Sequence, residues 1–319
     1  MLQTGASATF AAPATRSHNG CLPGSDWVAV YRPPAGIAEI ALLFDSPHSG
    51  TSYPEDFGFA CDFAALRKAE DTHVDDLYDF APSLGATLIT ALFPRSYIDV
   101  NRRLADIDTS MLAQPWPHAV DLSPKSRCGI GLIWRLLDDQ TPIYARKLTV
   151  EEVESRIERC YKPYWRALHR CAESLIASHG RLVHINCHSM PEEAGALSWV
   201  PRGTRFADIV LGDRDGTTCA PELTALLAEL FRGEGFSVAI NDPYKGVEIV
   251  KQLGRPEENR HSIQVEINRR LYMDERTRER SANYGALKAA LERVMRGVAD
   301  YARALSAGSA GGVLGRAPR

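Results

Sequence analysis

The sequence predicts an α/β layered fold, and three observations carry that expectation. Short apolar, β-branched runs bounded by turn residues recur along the chain. Longer stretches with helix start and stop signals fill the gaps between them. No repeat, low-complexity linker or composition break divides the 319 residues into separate units. At 45% hydrophobic residues the chain can bury one large core.

The elements follow in order. Residues 1–25 are rich in small residues and lack both the basic start and the apolar centre of a secretory signal, so they are expected to be a disordered extension. Residues 26–305 are expected to form a single domain, and the Gly-, Ala- and Ser-rich residues 306–319 a flexible tail. Strands are predicted at 37–44, 86–93, 96–100, 181–187, 207–212, 236–240 and 262–268. Helices are predicted at about 62–83, 220–233 and 277–305. A further long helix opens at the capping-box signal Thr149-x-x-Glu152 and ends before Gly180, with Pro163 kinking or splitting it.

Bulk properties exclude several classes of partner. A formal net charge of -3 with 24% charged residues gives no strong field toward nucleic acid or an anionic membrane. The longest apolar runs, such as "IALLF" and "ATLITALF", fall far short of the roughly 20 residues that cross a bilayer. A small polar or charged metabolite is the partner class that remains, and oligomeric state is not legible. The seven cysteines (21, 61, 128, 160, 171, 187 and 219) are odd in number and contain no C-x-x-C pair. That argues against a disulfide framework and for reduced thiols in the cytoplasm.

In layered α/β folds, ligands gather beyond the carboxyl ends of the central strands. His48 follows the apolar run "IALLF", and His188 ends the run "RLVHINCH". One such histidine is most often a hydrogen-bonded core residue, but two at strand ends make a pair of nitrogen ligands for a divalent metal. A third ligand is then required, and "AEDTHVDDLYDF" offers Glu70, Asp71, His73 or Asp75 without the spacing choosing among them.

Two further segments, "SYIDVNRR" and "SIQVEINRR", read as alternating strands that each carry an acid and then Asn-Arg. Glu266, embedded in "IQVEIN", is either salt-bridged or a general base toward a metal-activated water. Arg102, with Asn101 beside it and Arg95 nearby, either clamps a substrate carboxylate or joins Asp99 in a structural network. Tyr244 and Lys245, just before Gly246, lie on a loop able to cover a ligand. The chain has no G-x-S-x-G elbow, phosphate loop or dinucleotide-binding turn. Ser49, Ser189 and Cys187 sit beside histidines, but adjacent strand residues point to opposite faces, which weakens each as a nucleophile.

Taken together, "SPHSG", "EDTHVDDLYDFA", "PRSYIDVNR", "NCHSM", "GDRDGTTC", "PYKG" and "QVEINRRLYM" resemble, in order, the motifs of the N-formylglutamate amidohydrolase family, over roughly residues 40 to 275. The resemblance implies a three-layer α/β/α sandwich with a mixed central sheet, of the zinc-carboxypeptidase kind. It implies one divalent metal, with zinc favoured, held by His48, Asp71 and His188. Glu266 would be the acid/base, and Asn101 with Arg102 the carboxylate clamp. The implied reaction is hydrolysis of an N-acyl acidic amino acid, most simply N-formyl-L-glutamate to formate and glutamate. Two positions depart from the pattern. The carboxypeptidase-type glutamate three residues after the first histidine is Thr51 here, and the Gly-Gly-His that histidine-degrading members carry after the loop lysine is Gly246, Val247, Glu248.

Overall fold

The computed structural model describes residues 26–137, 140–196 and 200–310. The expected N-terminal extension and most of the expected tail lie outside them.

Seven strands form one sheet: β1 Val28–Tyr31, β2 Leu42–Ser46, β3 Thr87–Ala91, β4 Leu182–Met190, β5 Ile209–Gly212, β6 Val238–Ile240 and β7 Arg260–Asn268, in the order β1-β3-β2-β4-β7-β5-β6. The four central strands β3, β2, β4 and β7 are parallel, whereas β1 is antiparallel to β3, and β5, paired in parallel with β6, is antiparallel to β7. The sheet is therefore mixed, with its antiparallel members outside the parallel centre.

Helices cover both faces. On one side lie α1 (Val150–Arg156) and α2 (Lys162–His179), and on the other α3 (Pro221–Gly233) and α5 (Tyr284–Ala310); the short α4 (Glu248–Leu253) lies between β6 and β7 in the chain. Each side has its own buried apolar cluster. Val153, Leu168 and Leu175 pack with Leu43, Ile89 and Leu182, while Leu223, Leu227, Leu291 and Val298 pack with Phe44, Ile185 and Val265. This is the three-layer α/β/α sandwich. Among the described residues no helix is long and apolar enough to cross a membrane, and the six described cysteines are free.

Because side chains alternate along a strand, β2, β4 and β7 each have two faces of different character. Toward α3 and α5 the central strands present Phe44, Ile185, Cys187, Ile263, Val265 and Ile267. Toward α1 and α2 they present Asp45, His184, Asn186, His188, Ser262, Gln264 and Glu266. All are buried, and the register pairs Asp45 with Asn186, Asn186 with Gln264 and His188 with Glu266. A polar column thus runs up one face of the parallel sheet to its carboxyl edge.

Several expectations are corrected. The segment 96–100 is no strand: the Asp99 side chain accepts from the Asn101 backbone N–H at 2.9 Å, and the Arg102 N–H bonds the Asp99 carbonyl, so a local turn replaces ladder pairing. The helix expected over 62–83 breaks into the single turns Phe63–Leu66 and Val74–Leu77 with 3-10 turns around them, because Glu70 is extended and His73 is left-handed at φ 70°. The strand β2 begins at Leu42, since residues 34–37 form a turn around Gly36 at φ 90°. β4 runs through His188 to Met190 rather than stopping before it. β1 was not expected from the sequence.

Two other helices differ in detail. The Thr149/Glu152 capping box is present in both directions, and Gly180 at φ 67° ends α2. Near Pro163 the long helix divides in two: a π-helical turn at Ile157–Tyr161 joins α1 to α2 and leaves Pro163 in the first turn of the latter, where its missing N–H is tolerated. The last helix starts at Tyr284 rather than 277, behind a turn in which the Asp274 carboxylate accepts from the Arg276 and Thr277 N–H groups.

Gly50 holds the loop after β2 against the end of β3. A Cβ there would lie 2.2 Å from the Phe93 carbonyl oxygen and 2.5 Å from the Leu92 carbonyl carbon. Gly50→Ala is expected to cost about 1–3 kcal/mol of stability through overpacking. Thermal melts of the variant against the parent would measure this loss.

Candidate metal centre and substrate cavity

The carboxyl edge of the sheet brings three elements together. β2 ends at Ser46, and Pro47 turns the chain so that His48 sits at the strand's mouth with its backbone carbonyl accepting the Asp71 N–H at 3.0 Å. That backbone bond docks the broken 62–83 segment on the sheet edge. His188, on β4, and Glu266, on β7, stand side by side in register.

The result is a buried trio. One ligand atom each from His48, Asp71 and His188 lies within 4.8 Å of the other two, and the imidazole centroids are 4.7 Å apart. Asp71 Oδ2 is 3.2 Å from His188 Nδ1 and 3.5 Å from His48 Nδ1. The outer nitrogens are already engaged: His48 Nε2 lies 2.7 Å from Asp99 Oδ1, and His188 Nε2 lies 2.7 Å from Asn186 Oδ1. His48 Nδ1 is buried and has no hydrogen-bond partner. Two Nδ1 atoms and a carboxylate oxygen thus converge with their outer partners fixed, the arrangement a divalent cation requires of neutral imidazole ligands.

The other third-ligand candidates face elsewhere. Glu70 is consumed by Tyr53 Oη at 2.7 Å, Arg67 Nε at 2.9 Å and Thr72 Oγ1 at 2.9 Å. His73 places Nε2 2.9 Å from the Arg278 carbonyl, and Asp75 stands outside the trio.

Electrostatics follow from burial and neighbours. Burial pushes the Asp71 carboxyl up, but His188, His48, Arg95 and Arg269 outweigh it and hold the group well below the usual carboxylate range. Arg269 makes the direct contact, Nη2 to Asp71 Oδ1 at 2.9 Å, and its other nitrogens bond Ser189 Oγ and the Lys68 carbonyl. Burial likewise opposes Asp99, but His48, Arg95 and Arg102 keep it ionised. Glu266 goes the other way: burial first and the Asp71 charge second push its carboxyl up to about 8, against Arg95 and Arg269. Burial also lowers His188, which keeps the imidazole neutral.

A cavity of about 980 Å³ opens over this edge, lined by His48, His188 and Glu266 together with Arg102, Trp134 and Tyr244 among others. The other expected residues divide into engaged and available groups. Arg95 is engaged, bonding Asp99 Oδ2 at 3.0 Å and lying over the Trp134 ring at 5.0 Å. Asn101 is engaged as well: its Oδ1 accepts the Ile249 N–H at 2.9 Å and so ties the start of α4 to the cavity wall. Arg102 is available. It is 7% exposed, bonds only the Ile130 and Asn101 carbonyls at 3.3 Å, and has no carboxylate within ion-pair distance among the described residues.

On the far rim, Tyr244 packs on Phe206 at 5.6 Å and Lys245 pairs with Asp215 at 2.9 Å. Their loop is pinned because Gly212 leaves room for the backbone of 244–246, where a Cβ would sit 2.7 Å from Gly246 N. Glu248, buried at the start of α4, also lines the cavity and accepts from Gln252 Nε2 at 2.6 Å.

Neither serine beside a histidine is aimed as a nucleophile. Ser49 Oγ pairs with Ser46 Oγ at 2.8 Å, and Ser189 Oγ accepts from Arg269 Nε at 3.1 Å. Sequence reasoning missed Asn186 and Arg269 as parts of the site. Strand alternation through His184, Asn186 and His188 carried the signal for the first, and the Asn-Arg pair that "SIQVEINRR" shares with "SYIDVNRR" marked the second without giving it a role.

Comparison with known proteins identifies the family. Residues 40–273 match the N-formylglutamate amidohydrolase family. The chain is 30% identical over 241 residues to the N-formylglutamate deformylase of Pseudomonas aeruginosa, covering 74% of this chain and 83% of that protein. It is 27% identical over 245 residues to the N-formylglutamate deformylase of Pseudomonas putida, with the same coverage of 74% and 83%. The crystal structure of N-formylglutamate amidohydrolase from Ralstonia eutropha superposes with a TM-score of 0.83 at 46% identity, over 87% of this chain and 98% of that one. The chain therefore belongs to the N-formylglutamate amidohydrolase family.

Proposed function

We propose that the protein is a metal-dependent amidohydrolase that cleaves the N-acyl bond of an acidic amino acid, with N-formyl-L-glutamate as the first substrate. The observation that carries this reading is the convergence of His48 Nδ1, His188 Nδ1 and Asp71 Oδ2 beside Glu266, in a cavity that also holds the carboxylate-free Arg102. The names of the relatives support the substrate. His48, Asp71 and His188 would hold one divalent ion, zinc by the preference of imidazole and carboxylate donors, and it would supply Lewis acidity toward a carbonyl and lower the pKa of a water.

The chain's own residues do the rest. Arg102 receives a substrate carboxylate in two parallel hydrogen bonds, which sets the acyl carbonyl against the trio and converts an encounter into an oriented reaction. Glu266 is held protonated near neutrality by burial and Asp71. Positive charge beside it favours its ionised form, so it can accept a proton from the attacking water and return one to the leaving amine. Asn101 is assigned to positioning, since its amide already spans to α4, and Tyr244 and Lys245 to the rim that covers the substrate.

A second reading keeps the chemistry and changes the acyl amino acid. It rests on Glu248, whose buried carboxylate lines the cavity and would repel a second substrate carboxylate placed nearby.

Formate release from N-formyl-L-glutamate should be abolished by a chelator and restored by zinc. Metal-replete protein that releases none, yet turns over another N-acyl acid, would select the second reading. Glu266→Gln is expected to retain metal while losing at least ~10²-fold in kcat, the scale of a lost general base; near-parental turnover would remove Glu266 from the role. Because Glu266 holds its proton more tightly when folded, its ionisation withdraws stability as pH rises from 4.5 to about 8. In chelator-treated protein, the Tm of Glu266→Gln should therefore gain on the parent across that window and show no such gain below it. Arg102→Lys should raise KM by ~10-fold or more through loss of bidentate geometry, and unchanged kinetics would return Arg102 to structure.

A further inference from the structure

The two imidazoles of the trio are backed differently. His48 Nε2 meets the Asp99 carboxylate, which can only accept, so His48 carries its proton on Nε2 and leaves Nδ1 as a lone pair. His188 Nε2 meets the amide of Asn186, which can offer an acceptor or a donor depending on which end faces the ring. The residue that decides lies deeper in the sheet.

Asp45, on β2, is wholly buried and does not line the cavity. Its Oδ1 accepts from Asn186 Nδ2 at 2.7 Å and His184 Nε2 at 2.9 Å, and its Oδ2 accepts from Tyr164 Oη at 2.6 Å. His184 Nδ1 in turn meets Ser262 Oγ at 2.7 Å, which can donate to it, so that ring too is held in one tautomer. A carboxylate has no proton to give. Asn186 must therefore turn its NH₂ to Asp45 and its carbonyl to His188; that carbonyl at 2.7 Å is a far shorter contact to His188 Nε2 than the competing Asn101 Nδ2 at 3.4 Å, so His188 presents an Nε2–H to it. The alternative tautomer, with Nδ1–H donated to Asp71 Oδ2 at 3.2 Å, would leave two lone pairs facing each other at 2.7 Å.

We propose that Asp45 is a positioning residue that fixes the tautomer of His188 through Asn186, and thereby sets the metal affinity of the site. The second half rests on the metal reading above; the first half does not. With both Nδ1 atoms as lone pairs, three acceptors converge with no proton among them, and a cation is what satisfies them. Loss of Asp45 lets Asn186 flip, so that an Nδ2–H faces His188 Nε2 and the ring proton moves to Nδ1, where a metal would have to displace it.

The test uses chelator-treated, ¹⁵N-histidine-labelled protein and a zinc competition titration, with the His188 resonances assigned from a His188→Gln variant. Long-range ¹H–¹⁵N correlation should show parental His188 protonated on Nε2. Asp45→Asn should shift it toward the Nδ1–H form and weaken zinc binding ~10–100-fold, the usual consequence of losing an outer partner of a ligand histidine. The swap Asp45→Asn with Asn186→Asp keeps an acceptor against His188 and a donor against that acceptor, and should return both tautomer and affinity to within a few-fold of the parent. An Nδ1–H tautomer in the parent overturns the proposal even if the single variant fails to fold. So does a folded Asp45→Asn with parental tautomer and affinity. If the parent binds no divalent ion, the metal reading falls, and the tautomer measurement still decides the Asp45–Asn186 relay.

Discussion

Burying charged and polar side chains on one face of a parallel sheet is the constraint on which the rest of this structure depends. Such groups cost free energy unless each finds a partner. Asp45 meets that requirement with three donors from β4 and α2, and Asp99 with His48, Arg95, Trp134 and the Asn101 N–H. These two carboxylates anchor the polar column at its base and at its mouth. The helix α2, the loop at 94–102 and the central strands are held in mutual register by those bonds as well as by apolar packing.

The column also explains why the broken segment between β2 and β3 is not a helix. A regular helix over 62–83 would point Asp71 along a fixed spiral. Instead the chain extends at Glu70, gives its Asp71 N–H to the His48 carbonyl, and turns through a left-handed His73. Arg269, arriving from the end of β7, then bonds both the Glu70 carbonyl and the Asp71 carboxylate. Local helix propensity is overridden because one carboxylate is needed at one place, and tertiary contacts stabilise the irregular backbone that puts it there.

Charge is partitioned around the cavity in a consistent way. Arg95 and Arg269 are committed to Asp99 and Asp71, so their positive charge serves the site's own carboxylates. Among the described residues Arg102 sits beside them with only carbonyl partners, so its buried guanidinium carries no ion pair. Glu266 makes no ion pair among the described residues and accepts from Gln264 Nε2 at 2.8 Å, and burial with the Asp71 charge holds its carboxyl well above the usual range while its neighbours lie below it. Carboxyls within one small volume thus occupy opposite protonation states through differences in their partners.

Much of this was legible in the sequence. The apolar runs fixed six of the seven strands to within a few residues, the Thr149/Glu152 box and Gly180 bounded the long helix, and histidines at two strand ends marked the carboxyl edge. The ordered motifs carried the family. Alternation also placed His188 and Glu266 on polar positions of otherwise apolar strands. Three things were decided only by the tertiary structure. That Asp71, which the resemblance named and spacing did not, faces His48 and His188 while Glu70 and His73 are bonded elsewhere depends on which way an irregular backbone turns, and reading 96–100 as a turn required the Asp99 side chain to compete with strand pairing. The third was telling an available Arg102 from an engaged Arg95 and Arg269, since all three are arginines near acids in the sequence. The reason is the same in each case: periodicity reports which face of a regular element a residue occupies, whereas the partner of a buried charge is set by long-range pairing between segments that are far apart in the chain.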